Sequence, residues 1–319
     1  MPSVELPIDE TSDPDRDARA SPSVVETSRR VEWRAVVFYV TLACGLAWLI
    51  EGIALARGIR FAALTMRGTL VLASAMFTPA IAALIVRVVR KEGFASAGVR
   101  LGPLKLYAAV WIAVPVLVAL IYAITIALGL GTFDPTVARL SELIREHSDG
   151  RTLPALPPMR VLAAVMFLQS LTLGVLVTTV ATFGEEFGWT GYLLIKLLPL
   201  GRWRASVLYG AIWGLWHAPA IAGGFNYPGH PYAGVPMMCL LTISFALSQT
   251  ALRLRSGSVV LTSFAHASLN NQGLGVLPLL VAGVSPVLGG VTGLVGIVVF
   301  GSVGVWLLLR TPGQIARGE

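Results

Sequence analysis

Long apolar runs separated by short polar connections dominate the chain. A spanning helix needs about 20 predominantly apolar residues to cross the roughly 30 Å hydrocarbon core of a bilayer, and the chain supplies that length repeatedly. The pattern therefore predicts an all-α, polytopic membrane protein with about eight transmembrane helices. The eight runs lie at about 35–56, 68–89, 106–131, 161–184, 203–222, 234–254, 257–275 and 287–309.

The composition agrees with a protein that has lipid as its main solvent. The 319 residues are 55% hydrophobic and only 13% charged, whereas soluble domains carry about 25% charged residues. The net charge of +7 is spread between the apolar runs, so it predicts membrane-flanking residues and no nucleic acid partner. Cys44 and Cys239 both lie in apolar runs, which leaves a disulfide framework or a cysteine metal site without support.

Four segments follow from this pattern. Residues 1–33 are rich in charged residues, Ser and Pro and contain no apolar run, so they predict a disordered cytoplasmic tail. Residues 34–160 hold the N-terminal transmembrane helices. Residues 161–310 form the second set of spans, and 311–319 are expected to be a short cytoplasmic tail.

Loop charges predict the orientation, because Lys and Arg concentrate on the cytoplasmic side of a membrane. The connections at about 223–233 and 276–286 contain neither residue, and the mixed-charge segment 132–160 is interpreted as an outward amphipathic segment. The sequence therefore predicts a multi-pass protein of the cell membrane with both termini in the cytoplasm. The basic residues assigned to the cytoplasmic side are Arg29, Arg30, Arg34, Arg87, Arg90, Lys91, Arg100, Lys105, Lys196, Arg202, Arg204, Arg253 and Arg255.

Ionisable residues inside the apolar runs are few. An ionisable group in hydrocarbon costs at least a few kcal/mol, so those that remain are usually functional or paired. Beyond the tail, the acidic ones are Glu51, Glu185 and Glu186, and the intramembrane histidines are His217 and His266.

The adjacent pair Glu185 and Glu186 is the first candidate for chemistry. Neighbouring positions on a helix differ by about 100°, so one carboxylate can line a cavity while the other supports it. Repulsion between them favours a group that accepts and returns a proton, as general acid–base catalysis requires. The alternative is a glutamate pair at a helix end that reaches interfacial water.

Each histidine has a polar or aromatic neighbour on its own helix face. Trp213 precedes His217 by four residues, and Asn270 follows His266 by four, which directs an imidazole and a carboxamide to one site. Hydrogen bonds between neighbouring helices explain either histidine equally well when it is taken alone.

The three patterns together resemble the CPBP family of intramembrane proteases, which includes the CAAX prenyl endopeptidase and Abi-type bacteriocin self-immunity proteins. The family pattern is EExxxR, FxxxH and HxxxN/D on three successive spans. The resemblance covers roughly residues 160–275 and implies that 161–310 is an intramembrane protease domain. The matching stretches are Glu185-Glu186-FGW-Thr190, Trp213-GLW-His217 and His266-ASL-Asn270.

The resemblance implies an endopeptidase that acts on a peptide or membrane-protein substrate, of which prenylated CAAX proteins are one class. Glu185 would be the general base on a water, His217 and His266 would orient that water, and Asn270 would stabilise the oxyanion. Glu186 completes the catalytic set. Two histidines with Glu185 are also a ligand set compatible with Zn²⁺, and water activation without a metal is equally compatible.

Two positions depart from the family pattern. Thr190 stands where the family has arginine, so Glu186 loses a permanent countercharge and is expected to be protonated or to use Lys196 or Arg202. Trp213 replaces a phenylalanine and keeps an aromatic wall. The arginine loss leaves open a catalytically inactive immunity or scaffold relative, and buried Glu and His leave open a proton-coupled transporter.

Overall fold

The computed structural model describes residues 30–62, 65–147 and 155–311. Most of these residues are helical, and the only strands among them are two of two residues each. The predicted tails lie almost wholly outside the described residues, so their disorder stays a prediction. The helices are α1 (Trp33–Ala56), α2 (Met66–Ala75), α3 (Thr78–Arg90), α4 (Leu104–Ala127), α5 (Ala138–His147), α6 (Met159–Leu171), α7 (Leu173–Gly188), α8 (Leu194–Leu197), α9 (Arg202–Trp216), α10 (Ala218–Ala222), α11 (Pro231–Ser256), α12 (Val259–Gly273), α13 (Val276–Leu279) and α14 (Leu294–Leu309), and the strands are β1 (Thr132–Phe133) and β2 (Val281–Ala282).

Each predicted apolar run contains a helix, which confirms an all-α polytopic membrane protein. Among the described residues, four helical stretches are long and apolar enough to cross a bilayer, and a fifth is added if Met159–Leu171 and Leu173–Leu200 count as one span bent by 50°. The helix α14 is apolar but has only 16 residues. The number eight therefore stays a prediction. The four stretches are Trp33–Ala56, Met66–Arg90, Leu104–Ala127 and Pro231–Ser256.

Ion pairs gather the basic connections at one end of the helix bundle. Lys196 Nζ lies 2.9 Å from Glu32 Oε1 and 3.0 Å from Glu92 Oε1, and Arg90 contacts the same two carboxylates. The hydrogen bond from Lys196 lowers the pKa of Glu32, which precedes the first span. The residues before the first span and the second and fourth connections thus share one end, in agreement with the charge pattern.

The same end also holds the end of the described chain, because Arg202 and Arg255 both hydrogen-bond Thr311. Arg202 donates to the Thr311 carbonyl. Lys196 and Arg202 therefore bind groups other than Glu186. The expectation that one of them replaces the missing arginine is wrong.

The fifth and seventh connections, which contain no Lys or Arg, lie at the opposite end together with the third connection. Thr132 of β1 pairs with Ala282 of β2, which joins the third connection to the seventh. Tyr227 Oη in the fifth connection donates to the Thr292 carbonyl at 2.9 Å. The loops therefore segregate as the charge pattern predicts, while the assignment of one end to the cytoplasm stays a prediction.

Small residues let α3 approach α7 closely beside the glutamate pair. Gly184 and Gly188 lie one turn apart on α7 and face α3. A Cβ at Gly188 would lie 2.4 Å from Pro79 Cβ, and a Cβ at Gly184 would lie 2.8 Å from the Met76 carbonyl oxygen. This small-xxx-small spacing permits contact between helix backbones in a membrane. The contact fixes the part of α7 that carries both glutamates.

A second pair of glycines allows close contact between α9 and α11 just before His217. A Cβ at Gly210 would lie 2.7 Å from Ile243 Cα, and a Cβ at Gly214 would lie 2.4 Å from Cys239 Cα. Two of the three motif segments are therefore held by a pair of glycines in contact with a neighbouring helix.

Gly188→Ala is expected to destabilise the protein by about 1–3 kcal/mol, because the added methyl group overpacks the contact between α7 and α3. The matched control is Gly45→Ala in α1, where nothing lies within 4 Å of the added Cβ. Thermal unfolding in detergent measures both variants. The control should unfold at or above the wild-type temperature, and an equal loss in both variants would contradict the close contact.

Candidate active site

Four of the five predicted catalytic residues line one cavity. Glu185, His217, His266 and Asn270 surround a space of about 120 Å³ between α7, α12 and the end of α9. A buried water requires about 10–15 Å³ of such space, so the cavity has room for several waters. The fifth residue, Glu186, lies behind the cavity wall. The structure thus assembles residues that are more than 80 positions apart in sequence.

The two neighbouring glutamates point in different directions. Glu185 lines the cavity, and its Oε2 accepts a hydrogen bond from Trp213 Nε1 at 2.9 Å. Glu186 accepts from Thr190 Oγ1 at 2.9 Å and pairs with His266 Nδ1 at 3.1 Å. Their exposed fractions are 3% and 0%, so the alternative that the pair reaches interfacial water is wrong.

A π-helical turn over Trp189–Leu193 continues α7 directly after the glutamates and carries Thr190. The Thr190 hydroxyl lies 2.9 Å from Thr262 Oγ1 on α12, in addition to its contact with Glu186. A π turn inside an α-helix is frequent at functional sites, because it shifts the facing of the residues that follow. A neutral hydroxyl therefore occupies the position of the family arginine.

Two arginines that the charge pattern assigned to loops are buried against this turn. Arg253 is 2% exposed, and its Nε donates to the Thr190 carbonyl at 3.2 Å. Arg87 Nη2 donates to the Gly191 carbonyl at 2.9 Å. A π turn leaves carbonyl groups outside the regular α-helical pattern, and these guanidinium groups satisfy them. The interpretation of Arg87 and Arg253 as membrane-flanking loop charges is therefore incomplete.

His217 lies at the break between α9 and α10. Its backbone N–H bonds to the Gly214 carbonyl, which leaves the Trp213 carbonyl free to accept from His217 Nδ1 at 2.9 Å. Because a carbonyl can only accept, Nδ1 carries the proton. In the neutral ring, Nε2 is therefore an acceptor at the cavity.

His266 and Glu186 form a carboxylate–imidazole pair. The carboxylate accepts from Nδ1, which fixes the ring orientation and leaves Nε2 as the other functional nitrogen. The Trp213 ring packs edge-on against the imidazole, with ring centroids 5.1 Å apart. Glu186 thus positions His266, while Trp213 contacts both His266 and Glu185.

Sequence reasoning missed three contributions to the site. Trp213 was interpreted only as an aromatic wall, although the indole N–H that a phenylalanine lacks binds Glu185. The Thr262 hydroxyl contacts Thr190. Thr262 lies four residues before His266, a spacing that places both side chains on one face of the helix. Glu51 was recognised as a buried acid without an assigned role, and it lines the same cavity.

The predicted zinc ligands do not form a metal-binding group in this arrangement. In the part of the chain that the structure describes, no three His, Cys, Asp or Glu side chains are placed to hold one ion. Zinc therefore stays a prediction, and no catalytic step below depends on it.

Comparison with known protein families gives a match over the segment that carries the three motifs. The family described as "Type II CAAX prenyl endopeptidase Rce1-like" matches residues 167–271. This segment begins in α6, ends in α12 and contains all five predicted catalytic residues. A search of curated proteins finds none that matches the chain. The predicted resemblance to the CPBP family is thus confirmed, because residues 167–271 match the Rce1-like family of type II CAAX prenyl endopeptidases.

Proposed function

We propose that this protein is an intramembrane endopeptidase in which Glu185 activates a water for attack on a peptide bond. The observation that supports this most directly is the position of Glu185 at the wall of a water-sized cavity, with His217, His266 and Asn270 around the same space. A carboxylate, two imidazoles and an amide donor are sufficient for peptide hydrolysis.

Each residue has a role that its contacts support. Trp213 Nε1 holds one oxygen of Glu185, so the other oxygen takes the proton from water. The two imidazoles present Nε2 to the cavity and orient the water and the substrate carbonyl. The Asn270 amide donates to the oxygen that becomes negative as the water attacks.

The substrate class comes from the family match and from the cavity lining. CAAX prenyl endopeptidases give this family its name, and a peptide that carries a lipid would partition into the bilayer in which the site lies. Apolar side chains complete the cavity wall, among them Met238, Leu241 and Phe245. We propose a membrane-associated peptide substrate, with a prenylated CAAX-type peptide as the first to test.

An inactive relative is the competing function, because Thr190 removes the family's cation from Glu186. The hydrogen bonds from Thr190 and His266 to Glu186 favour an active site, since they hold this carboxyl in place without an arginine. Cleavage by the purified protein decides between the two.

Purified protein in liposomes is expected to cleave at least one member of a panel of farnesylated and unmodified peptides. Glu185→Gln should lower cleavage about 10²–10⁴-fold, the range of general acid–base catalysis, and His266→Ala should also lower it. The matched control is Glu32→Gln, which removes a carboxylate from the ion pairs outside the cavity and should keep activity. Cleavage that survives both site variants would contradict the assigned site.

Thr190→Val is expected to lower kcat about tenfold, because a buried polar group that loses its hydrogen-bond partner, here the Glu186 carboxyl, costs about 1–3 kcal/mol. Thr182→Val is the matched control, since the hydroxyl of this buried threonine on α7 donates to the Ser263 carbonyl and to neither glutamate side chain. Steady-state kinetics and thermal unfolding are measured on both. Similar stability with a loss of kcat only in Thr190→Val is expected, and equal kcat would count against a role of Thr190 in catalysis.

Removal of metal is expected to leave cleavage unchanged, because the donors at the cavity do not form a three-ligand group. The measurement compares peptide cleavage before and after dialysis against a strong chelator, with elemental analysis of the dialysed protein. Loss of activity that zinc restores would establish the metal-dependent alternative.

A further inference from the structure

A third carboxyl group lines the catalytic cavity from a helix outside the family match. Glu51 lies on α1, is 1% exposed, and borders the same space as Glu185 and His217. It belongs to none of the three motifs, and the matched segment begins more than 100 residues later. The proposed roles of the motif residues leave Glu51 without a function.

The surroundings of Glu51 leave one of its two carboxyl oxygens without a hydrogen-bond partner among the described residues. The backbone N–H of Ala220 lies beside the carboxyl, and Ala220 follows His217 by three residues. Within the described residues, Glu51 Oε2 is buried without a hydrogen-bond partner. None of the ion pairs among the described residues includes Glu51. Glu185 is the neighbouring acidic group that interacts with Glu51 electrostatically.

A carboxyl group in this setting is best suited to carry a proton. An ionised carboxylate in an apolar environment is costly unless it is paired, and the described residues place no cation in an ion pair with Glu51. A neutral carboxyl group has one O–H to donate. Two carboxyl groups at one site with different surroundings can divide the roles of acid and base.

Peptide hydrolysis requires such a donor, because an amine cannot leave as its anion. The nitrogen of the scissile bond must receive a proton as the C–N bond breaks. Glu185 supplies the base for the water, and the hydrogen bond from Trp213 holds it in a separate position from Glu51. A second acidic group at the cavity can therefore supply this proton, while Glu185 keeps the proton that it takes from water.

We propose that Glu51 is the catalytic acid that protonates the leaving amine, a role that rests on the proposed endopeptidase function. Glu185 takes a proton from water while the water oxygen bonds to the scissile carbonyl carbon. The C–N bond then breaks, its electron pair stays on nitrogen, and the nitrogen takes the proton of Glu51. The proton on Glu185 passes through cavity water to Glu51, which restores both groups and leaves a carboxylic acid and an amine.

The test compares two probes with the same acyl group but different leaving groups. One is a farnesylated CAAX-type peptide, whose leaving group is an amine. The other is the p-nitrophenyl ester of N-acetyl-S-farnesylcysteine, whose leaving group departs without a proton. Glu51→Gln should lower cleavage of the peptide about 10²–10⁴-fold and cleavage of the ester less than about tenfold. Glu185→Gln should lower both, because both reactions need the activated water.

Two further variants separate chemistry from folding. Tyr39→Phe removes another buried, unpartnered polar atom from α1 and should leave both rates unchanged. Glu51→Asp keeps the acid, so its ratio of peptide to ester cleavage should lie between wild type and Glu51→Gln. Thermal unfolding in detergent checks that each variant is folded.

Each other outcome overturns the proposal. An equal loss with both probes in Glu51→Gln would assign Glu51 a structural role, and no loss with either would make Glu185 the only proton carrier. A ratio in Glu51→Asp equal to that of Glu51→Gln would exclude the acid as the cause. Cleavage of neither probe by wild-type protein would overturn the proposed function for this substrate class, together with the role of Glu51.

Discussion

Buried ionisable groups in an apolar bundle must find their partners inside the bundle, and this constraint organises the whole site. Glu185 is bound by Trp213, and Glu186 by Thr190 and His266. Each of these contacts joins different helices or neighbouring turns of one helix. The carboxyl groups therefore determine how α7, α9 and α12 are placed relative to one another, and the cavity is the space that remains between them.

Helix packing makes these contacts possible. Gly184 and Gly188 allow α3 to touch α7 beside the glutamates, and Gly210 and Gly214 allow α11 to touch α9 before His217. In a membrane, close backbone contact and interhelical hydrogen bonds replace the hydrophobic effect as the forces that join helices. The residues that stabilise the bundle are thus the direct neighbours of those assigned to chemistry.

The two departures from the family pattern are connected through the site. Thr190 replaces a cation with a hydroxyl on Glu186, and Trp213 replaces a ring without a donor by one that binds Glu185. Both carboxyl groups are consequently held by neutral side-chain donors together with His266. The arginine side chains nearest the π turn bind its backbone carbonyls instead, as Arg253 does at Thr190.

The sequence by itself determined the membrane class, the helical runs, the grouping of the loops into two ends and the identity of the motif residues. These follow from hydropathy, charge distribution and local spacing, which depend only on residues near in sequence. It also predicted that the adjacent glutamates diverge, because the 100° step of a helix is a local property.

Only the tertiary structure decided which partners those residues have. The bond from Trp213 to Glu185, the burial of Arg253 and the presence of Glu51 at the cavity each join segments far apart in sequence. Spacing along one helix cannot reveal such contacts, because they depend on how helices cross. Lys196 illustrates the limit, since it lies near Glu186 in sequence but pairs with Glu32 and Glu92 at the end of the bundle.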